Sequence, residues 1–149
     1  MSRVRIPYFL LAAAATIAVV GSALALVHDG RSFAIEAGLP HLEKEENPFV
    51  LRQMWWHGEL KVGEKKIISH QLFKRNDYWF WAGLVDEDSE ISIHIYDGEG
   101  NLVEAESWQK GNVAGARIVP EKSGSYLIAV QVVKAAETPA EWAVVYAYR

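Results

Sequence analysis

The chain has 149 residues, half of them hydrophobic, with 15 Lys and Arg against 19 Asp and Glu and no cysteine. That length suits one domain and is short for two. The lack of cysteine excludes disulfides, thiol chemistry and a lipid-modified cysteine, and a formal net charge of −4 offers no basic face to nucleic acid.

From Ile6 to Val27 there is no charged residue, and Arg3 and Arg5 stand just before that run. A basic start, an apolar centre rich in Ala, Leu and Val, and the small residues of Ala23-Leu24-Ala25 predict a secretory signal over residues 1–25, cut after Ala25. The alternative is an uncleaved membrane anchor, since a spanning helix needs about 20 apolar residues and this run supplies them. Either reading puts the remainder outside the cytoplasm: secreted, periplasmic, or anchored with the C-terminal domain outside. Residues 1–25 hold two Arg and no acid, so the remainder has 13 basic against 19 acidic side chains, a net charge of −6.

Residues 26–48 carry mixed charges, including the run Glu43-Lys44-Glu45-Glu46-Asn47-Pro48. Their apolar residues are too scattered for a helical stripe, so the segment reads as a tether with room for one helical turn. From Phe49 the periodicity becomes two, with turn signals about every ten residues, the pattern of an all-β sandwich over residues 49–149. Strands are expected near 51–60, 66–72, 78–85, 90–96, 102–108, 114–119, 125–134 and 141–148. Between them, segments such as Gly98-Glu99-Gly100-Asn101 and Thr138-Pro139 supply the residues that turns require. Eight short strands fit two antiparallel sheets packed face to face with jelly-roll or Greek-key connections.

Alternation assigns faces. Trp55 and Trp56 are adjacent, so in a strand one points each way. Trp79 and Trp81 share a face opposite Tyr78 and Phe80. In the fourth strand Ile91, Ile93 and Ile95 point to the core, leaving Ser92, His94 and Tyr96 on the other side. The seventh strand is apolar on both faces, with Tyr126, Ile128, Val130 and Val132 on one and Leu127, Ala129 and Val133 on the other. It is therefore expected to be central and covered on both sides.

Three stretches carry a family resemblance: Tyr78-Trp79-Phe80; the run from Asp88-Ser89-Glu90 through Ile95 to Tyr96-Asp97-Gly98-Glu99-Gly100; and Ser123-Gly124-Ser125-Tyr126 with the strand that follows. Together they resemble the bacterial pre-peptidase C-terminal domains, small secreted β-sandwiches attached to exported hydrolases. The chain departs from that pattern in having Glu90 where Asp is usual. No peptidase domain accompanies the module, so the resemblance implies a fold and an exported setting and no activity.

Two sets of residues are candidate sites. Between Asp86 and Glu106 stand eight acids and no Lys or Arg, and Asp86, Asp88, Glu90, Asp97 and Glu99 are the candidate ligands should calcium bind, since calcium takes about six to eight oxygens. A strand of about seven residues separates its ends by roughly 20 Å, which favours two solvated turns over one shared site. The second set is aromatic. If the 86–89 connection is a hairpin, Trp79, Trp81, His94 and Tyr96 come together as an outward patch fit for a sugar chain or a partner protein; the alternative is that the second aromatic face is packed, covered by the N-terminal segment. His94 has no partner at ligand spacing in His57 or His70.

Ser107-Trp108-Gln109-Lys110 matches S-x-x-K by letter but sits at a strand end without its partner motifs. G-x-S-x-G, H-E-x-x-H, a Walker loop and G-x-G-x-x-G are missing. The expectation is an exported, non-enzymatic β-sandwich module without a cofactor, binding or supporting a protein or polysaccharide outside the cytoplasm, and meeting the membrane through the N-terminal helix if that is uncleaved. The alternatives are a carbohydrate-binding module using the aromatic face, and a small hydrolase with a carboxylate pair.

Overall fold

A computed structural model describes residues 29–149. The expected leader and the start of the expected tether lie outside the described residues. The elements in chain order are α1 (Gly30–Glu43), β1 (Val50–Leu60), β2 (Lys65–Leu72), β3 (Tyr78–Leu84), β4 (Glu90–Tyr96), β5 (Glu106–Lys110), β6 (Val113–Ile118), β7 (Gly124–Lys134) and β8 (Ala140–Tyr148). The strands form two antiparallel sheets, one of five strands ordered β1-β8-β3-β6-β5 and one of three ordered β2-β7-β4. Their inner faces enclose one core, to which β3 contributes Tyr78, Phe80, Ala82 and Leu84, β4 its three isoleucines, and β7 Tyr126, Ile128, Val130 and Val132.

The fifth strand starts later than its sequence pattern predicts. Residues 102–105 run first along the edge of β4, where Leu102 bridges Tyr96 and the Val103 amide donates to the Ile95 carbonyl at 3.0 Å. β7 is the centre of its sheet, as expected. Its second face is not covered, however: Val133 is exposed, and no element among the described residues lies over that side.

The segment expected to be a tether contains a helix of 14 residues. Asp29 caps it, its carboxylate accepting from the Ser32 amide at 2.8 Å, which satisfies one of the free N–H groups of the first turn. Pro40 withholds one amide from the last turn, and three more residues follow before the helix ends. Its buried residues, Gly30, Ala34 and Gly38, recur every fourth position and form a narrow stripe of small side chains. That stripe lies on the outer face of the five-stranded sheet, and the bulk comes from the sheet side. Trp79, Trp81, Val145 and Ala147 form a second core with Ala34 and Phe49. A Cβ on Gly38 would lie 2.7 Å from the Trp81 ring, and one on Gly30 would lie 2.7 Å from the Gly83 carbonyl oxygen, so the helix approaches this closely only because those side chains are absent.

Beyond the helix, a charge network ties the chain back to the sheet. Asp77 accepts from Nε and Nη2 of Arg117 at 2.8 Å each, and from Nε and Nη2 of Arg149 at 3.3 and 3.2 Å. Arg149 also donates to Glu45 at 2.5 Å and to the Asn47 carbonyl at 2.7 Å, while its guanidinium lies over the Phe49 ring. These bonds fix the α1 to β1 connection against the ends of β3 and β8.

Candidate functional site

Trp79 and Trp81 do lie on the face of β3 opposite Tyr78 and Phe80, but that face is covered. Their rings are 1 % and 0 % exposed, stack on each other with centroids 5.8 Å apart, and carry His41 of α1 at 4.6 Å from Trp79. The outward aromatic patch is therefore not formed, and the alternative, a face covered by the segment N-terminal to β1, is the arrangement found. A second reason is topological: β3 and β4 belong to different sheets, so the 86–89 connection crosses the sandwich and is not a hairpin. His94 and Tyr96 end up on the outer face of the three-stranded sheet, on the far side of the molecule from the two tryptophans.

His94 is held by a group that the alternation pattern does not reveal. Its Nδ1 lies 2.8 Å from Oε1 of Glu104, whose Oε2 accepts the Ile95 amide at 2.8 Å. The Glu104 carboxylate thus serves as the missing ladder partner at the edge of β4. It is nearly buried, whereas the imidazole is 43 % exposed. Tyr96 and Ser92 flank the histidine on the same face, both half-buried.

The acids fall into two groups. Asp86, Asp88 and Glu90 lie before and at the start of β4, where Asp86 accepts the Asp88 amide at 3.0 Å and its carbonyl accepts the Ser89 hydroxyl. Asp97 and Glu99 follow the end of β4. There Oδ1 of Asp97 accepts the amides of Glu99 and Asn101 at 2.9 Å, and Oδ2 accepts the Asn101 side chain at 3.1 Å. Those bonds, from Asn101 above all, hold the Asp97 carboxyl below its ordinary range, and Gly100 at φ 88° closes the turn. The seven residues of β4 keep the two groups apart. Among the described residues, no group of three or more His, Asp or Glu side chains is placed to hold a metal ion.

The arrangement with the most convergent chemistry lies beside α1. The helix packs on β3, β8 and β6 and leaves open the outer face of β1, where Trp55, His57 and Glu59 alternate along the strand. In register with them, Ala143 of β8 faces His57 and Glu141 faces Glu59. With Asp29, Gly30 and Arg31 at the start of the helix and Val85 at its foot, these residues line a groove of about 280 Å³.

Its side chains are poorly paired within the protein. The Arg31 guanidinium lies over Trp55, 5.3 Å from the ring centroid, yet its Nε is buried without a hydrogen-bond partner. The Trp55 and His57 rings are 4.7 Å apart and tilted. Glu59 and Glu141 stand directly opposite on neighbouring antiparallel strands, a like-charge placement that costs stability. Neither makes an ion pair or side-chain hydrogen bond across the groove among the described residues, and the half-buried Arg31 pairs with neither. Sequence alternation does put Trp55, His57 and Glu59 on one face. It does not bring Arg31, assigned to a tether, or Glu141, whose position depends on register, to the same place.

No family model matches the chain, and no curated protein matches it.

Proposed function

We propose that the protein is an exported, non-enzymatic β-sandwich module that binds another extracytoplasmic component, and that its binding site is the groove between α1 and β1. The observation that carries this reading is the buried Arg31 Nε without an acceptor, lining a groove whose rim carries the exposed, unpaired carboxylates of Glu59 and Glu141. A buried donor left unpaired lowers the stability of the free protein and is compensated when a ligand supplies its acceptor.

The fold part of the proposal is a jelly roll with one strand displaced. The order β1-β8-β3-β6 over β2-β7-β4 follows two interleaved Greek keys, and β5 joins the five-stranded sheet at its edge. Kinship with the pre-peptidase C-terminal domains belongs to the same proposal and is supported by the Tyr96-Asp97-Gly98-Glu99-Gly100 turn, which Asp97 organises. Export rests on residues 1–25 as read from the sequence. No helix among the described residues is long and apolar enough to cross a membrane.

A hydrolase is the second reading, because Glu59 and Glu141 face each other in register on neighbouring strands. Both rise from one wall of the groove, however, whereas glycoside hydrolysis needs carboxyls on either side of the scissile bond. Binding is therefore the better account. Thermal-shift screening with oligosaccharides, amino acids and oligopeptides tests it, since a ligand that binds only the native state raises its melting temperature. A rise that disappears in the Glu59→Gln/Glu141→Gln variant supports the groove, and a rise that persists, or none with any class, refutes it.

A further inference from the structure

We propose that the free edge of β2 is a docking site for an extended acidic peptide segment, which joins the three-stranded sheet as an added strand. This surface lies on the other sheet from the groove and stands independently of it. β2 is an edge strand whose only strand partner is β7, in unbroken register from Lys65 to Leu72. Half the amides and carbonyls of such a strand point away from its neighbour, and among the described residues no backbone group of 65–72 bonds to anything beyond β7. The other three sheet edges are guarded. β1 loses register between Leu51 and Trp55, β5 has only five residues, and at β4 the Ile95 amide and carbonyl are taken by Glu104 and Val103. Irregularity, shortness and cover keep foreign strands off a sheet, and β2 has none of the three.

Charge identifies the strand that fits. From Lys61 to Arg75 there are five basic residues, Lys61, Lys65, Lys66, Lys74 and Arg75, against one acid, Glu64, in a chain whose net charge is −4. All five are exposed, and among the described residues none of their side chains enters an ion pair. Lysine on an edge can itself repel an added strand, but a guarding charge has to interrupt the run it guards. Here the charges bracket the strand, and the run Ile67-Ile68-Ser69-His70-Gln71-Leu72 between them holds no acid, Lys or Arg. Ile67 on the outer face and Phe73 just past the strand are each about half exposed, which gives an incoming strand apolar side chains to cover.

A second copy of the chain is the competing occupant. Antiparallel pairing of β2 with its own twofold mate sets Lys65 and Lys66 of one copy beside Lys74 and Arg75 of the other, and like charges so placed oppose the contact. A strand with acidic ends meets opposite charge at both ends, while its backbone continues the ladder and its alternate side chains lie along Ile67. The charges thus select the partner and disfavour self-pairing. Exposed ion pairs are each worth little, so the main-chain hydrogen bonds and the apolar contact hold the strand. A polyanion or an anionic lipid surface would use the charges and leave the free backbone groups unused.

The test is fluorescence anisotropy of labelled peptides with the full chain in a polyoxyethylene detergent, at low ionic strength so that charges are little screened. The probes are a peptide of alternating Val and Thr with a pair of Glu at each end, the same peptide with all its central amides N-methylated, and one with Lys in place of Glu. The acidic peptide binds with a submillimolar Kd and slows amide exchange within residues 65–72. The Lys65→Glu/Lys66→Glu variant, confined to exposed side chains and so expected to fold, weakens it by about tenfold or more, as do the N-methylated and the Lys-ended peptides. Absence of binding by the acidic peptide, protection that falls outside β2, or equal binding of the N-methylated peptide overturns the proposal. So does binding of dextran sulfate or of phosphatidylglycerol vesicles that Lys65→Glu/Lys66→Glu abolishes while the acidic peptide fails to bind, which would make the edge a polyanion or membrane contact.

Discussion

Replacing Trp81 by Ala separates a helix-covered sheet from an exposed aromatic patch. Trp81 is fully buried between Trp79 and the Gly38 position of α1. An indole in such a place removes roughly 200 Å² from water, worth about 5 kcal/mol at 25 cal/mol/Å² as an upper bound. Measured truncations of buried aromatic side chains cost about 3–5 kcal/mol. Gly38 has no side chain to fill the space and the helix rests on a stripe of small residues, so collapse around the void is restricted and the upper half of that range is expected. A domain of this size has a total stability of about 5–15 kcal/mol, so a large share of it is lost. Urea unfolding of residues 26–149, followed by far-ultraviolet circular dichroism, reads the effect as a fall in midpoint of about 2–2.5 M at a slope near 2 kcal/mol/M. A loss below about 0.5 kcal/mol, the size expected for a surface residue, would show that α1 does not cover this face in solution and would refute the reasoning.

Gly38→Ala is expected to destabilise by up to about 2 kcal/mol, although Ala is the better helix former by about 1 kcal/mol, because its Cβ would press on the Trp81 ring; net stabilisation in the same urea assay would mean that the ring gives way. Asp77→Ala leaves the half-buried Arg117 and Arg149 without their shared carboxylate, and a loss of about 2 kcal/mol is expected, discounted from the cost at fully buried pairs because both guanidiniums reach solvent. An unchanged melting temperature would show that the network contributes nothing. His70 packs edge-on between Trp56 and Tyr146, and burial lowers its pKa from the ordinary 6.5. The unfolded chain therefore takes up the proton first as pH falls below about 6.5, so stability drops from there down towards the lowered folded value. In His70→Phe that part of the pH dependence disappears from melting curves recorded between about pH 7.5 and 5, and identical curves for the two proteins would dismiss His70 as its source.

What the sequence determined by itself was the strand content and the inward faces of most strands. A period of two is local: each residue's side is set by its neighbours along the strand, so Ile91, Ile93 and Ile95, and likewise Trp55 against Trp56, sort correctly without knowledge of any partner. The acidic turns were legible for the same reason, as the bonds from Asp97 to Glu99 and Asn101 span no more than four residues.

The helix was not legible, because its fully buried positions are Gly30, Ala34 and Gly38, its larger Ile35 and Leu42 are only partly buried, and the largest apolar side chains of that contact, Trp79 and Trp81, belong to the other partner. Periodicity finds a helix by its own bulk, and here the bulk lies on the sheet. Which outer face is covered, which strands share a sheet, and hence whether two tryptophans are surface or core were decided only by tertiary structure. The groove belongs to the same category: Arg31, Trp55, Glu59 and Glu141 meet because of strand register and helix docking, and contacts between residues so distant along the chain leave no local pattern to read.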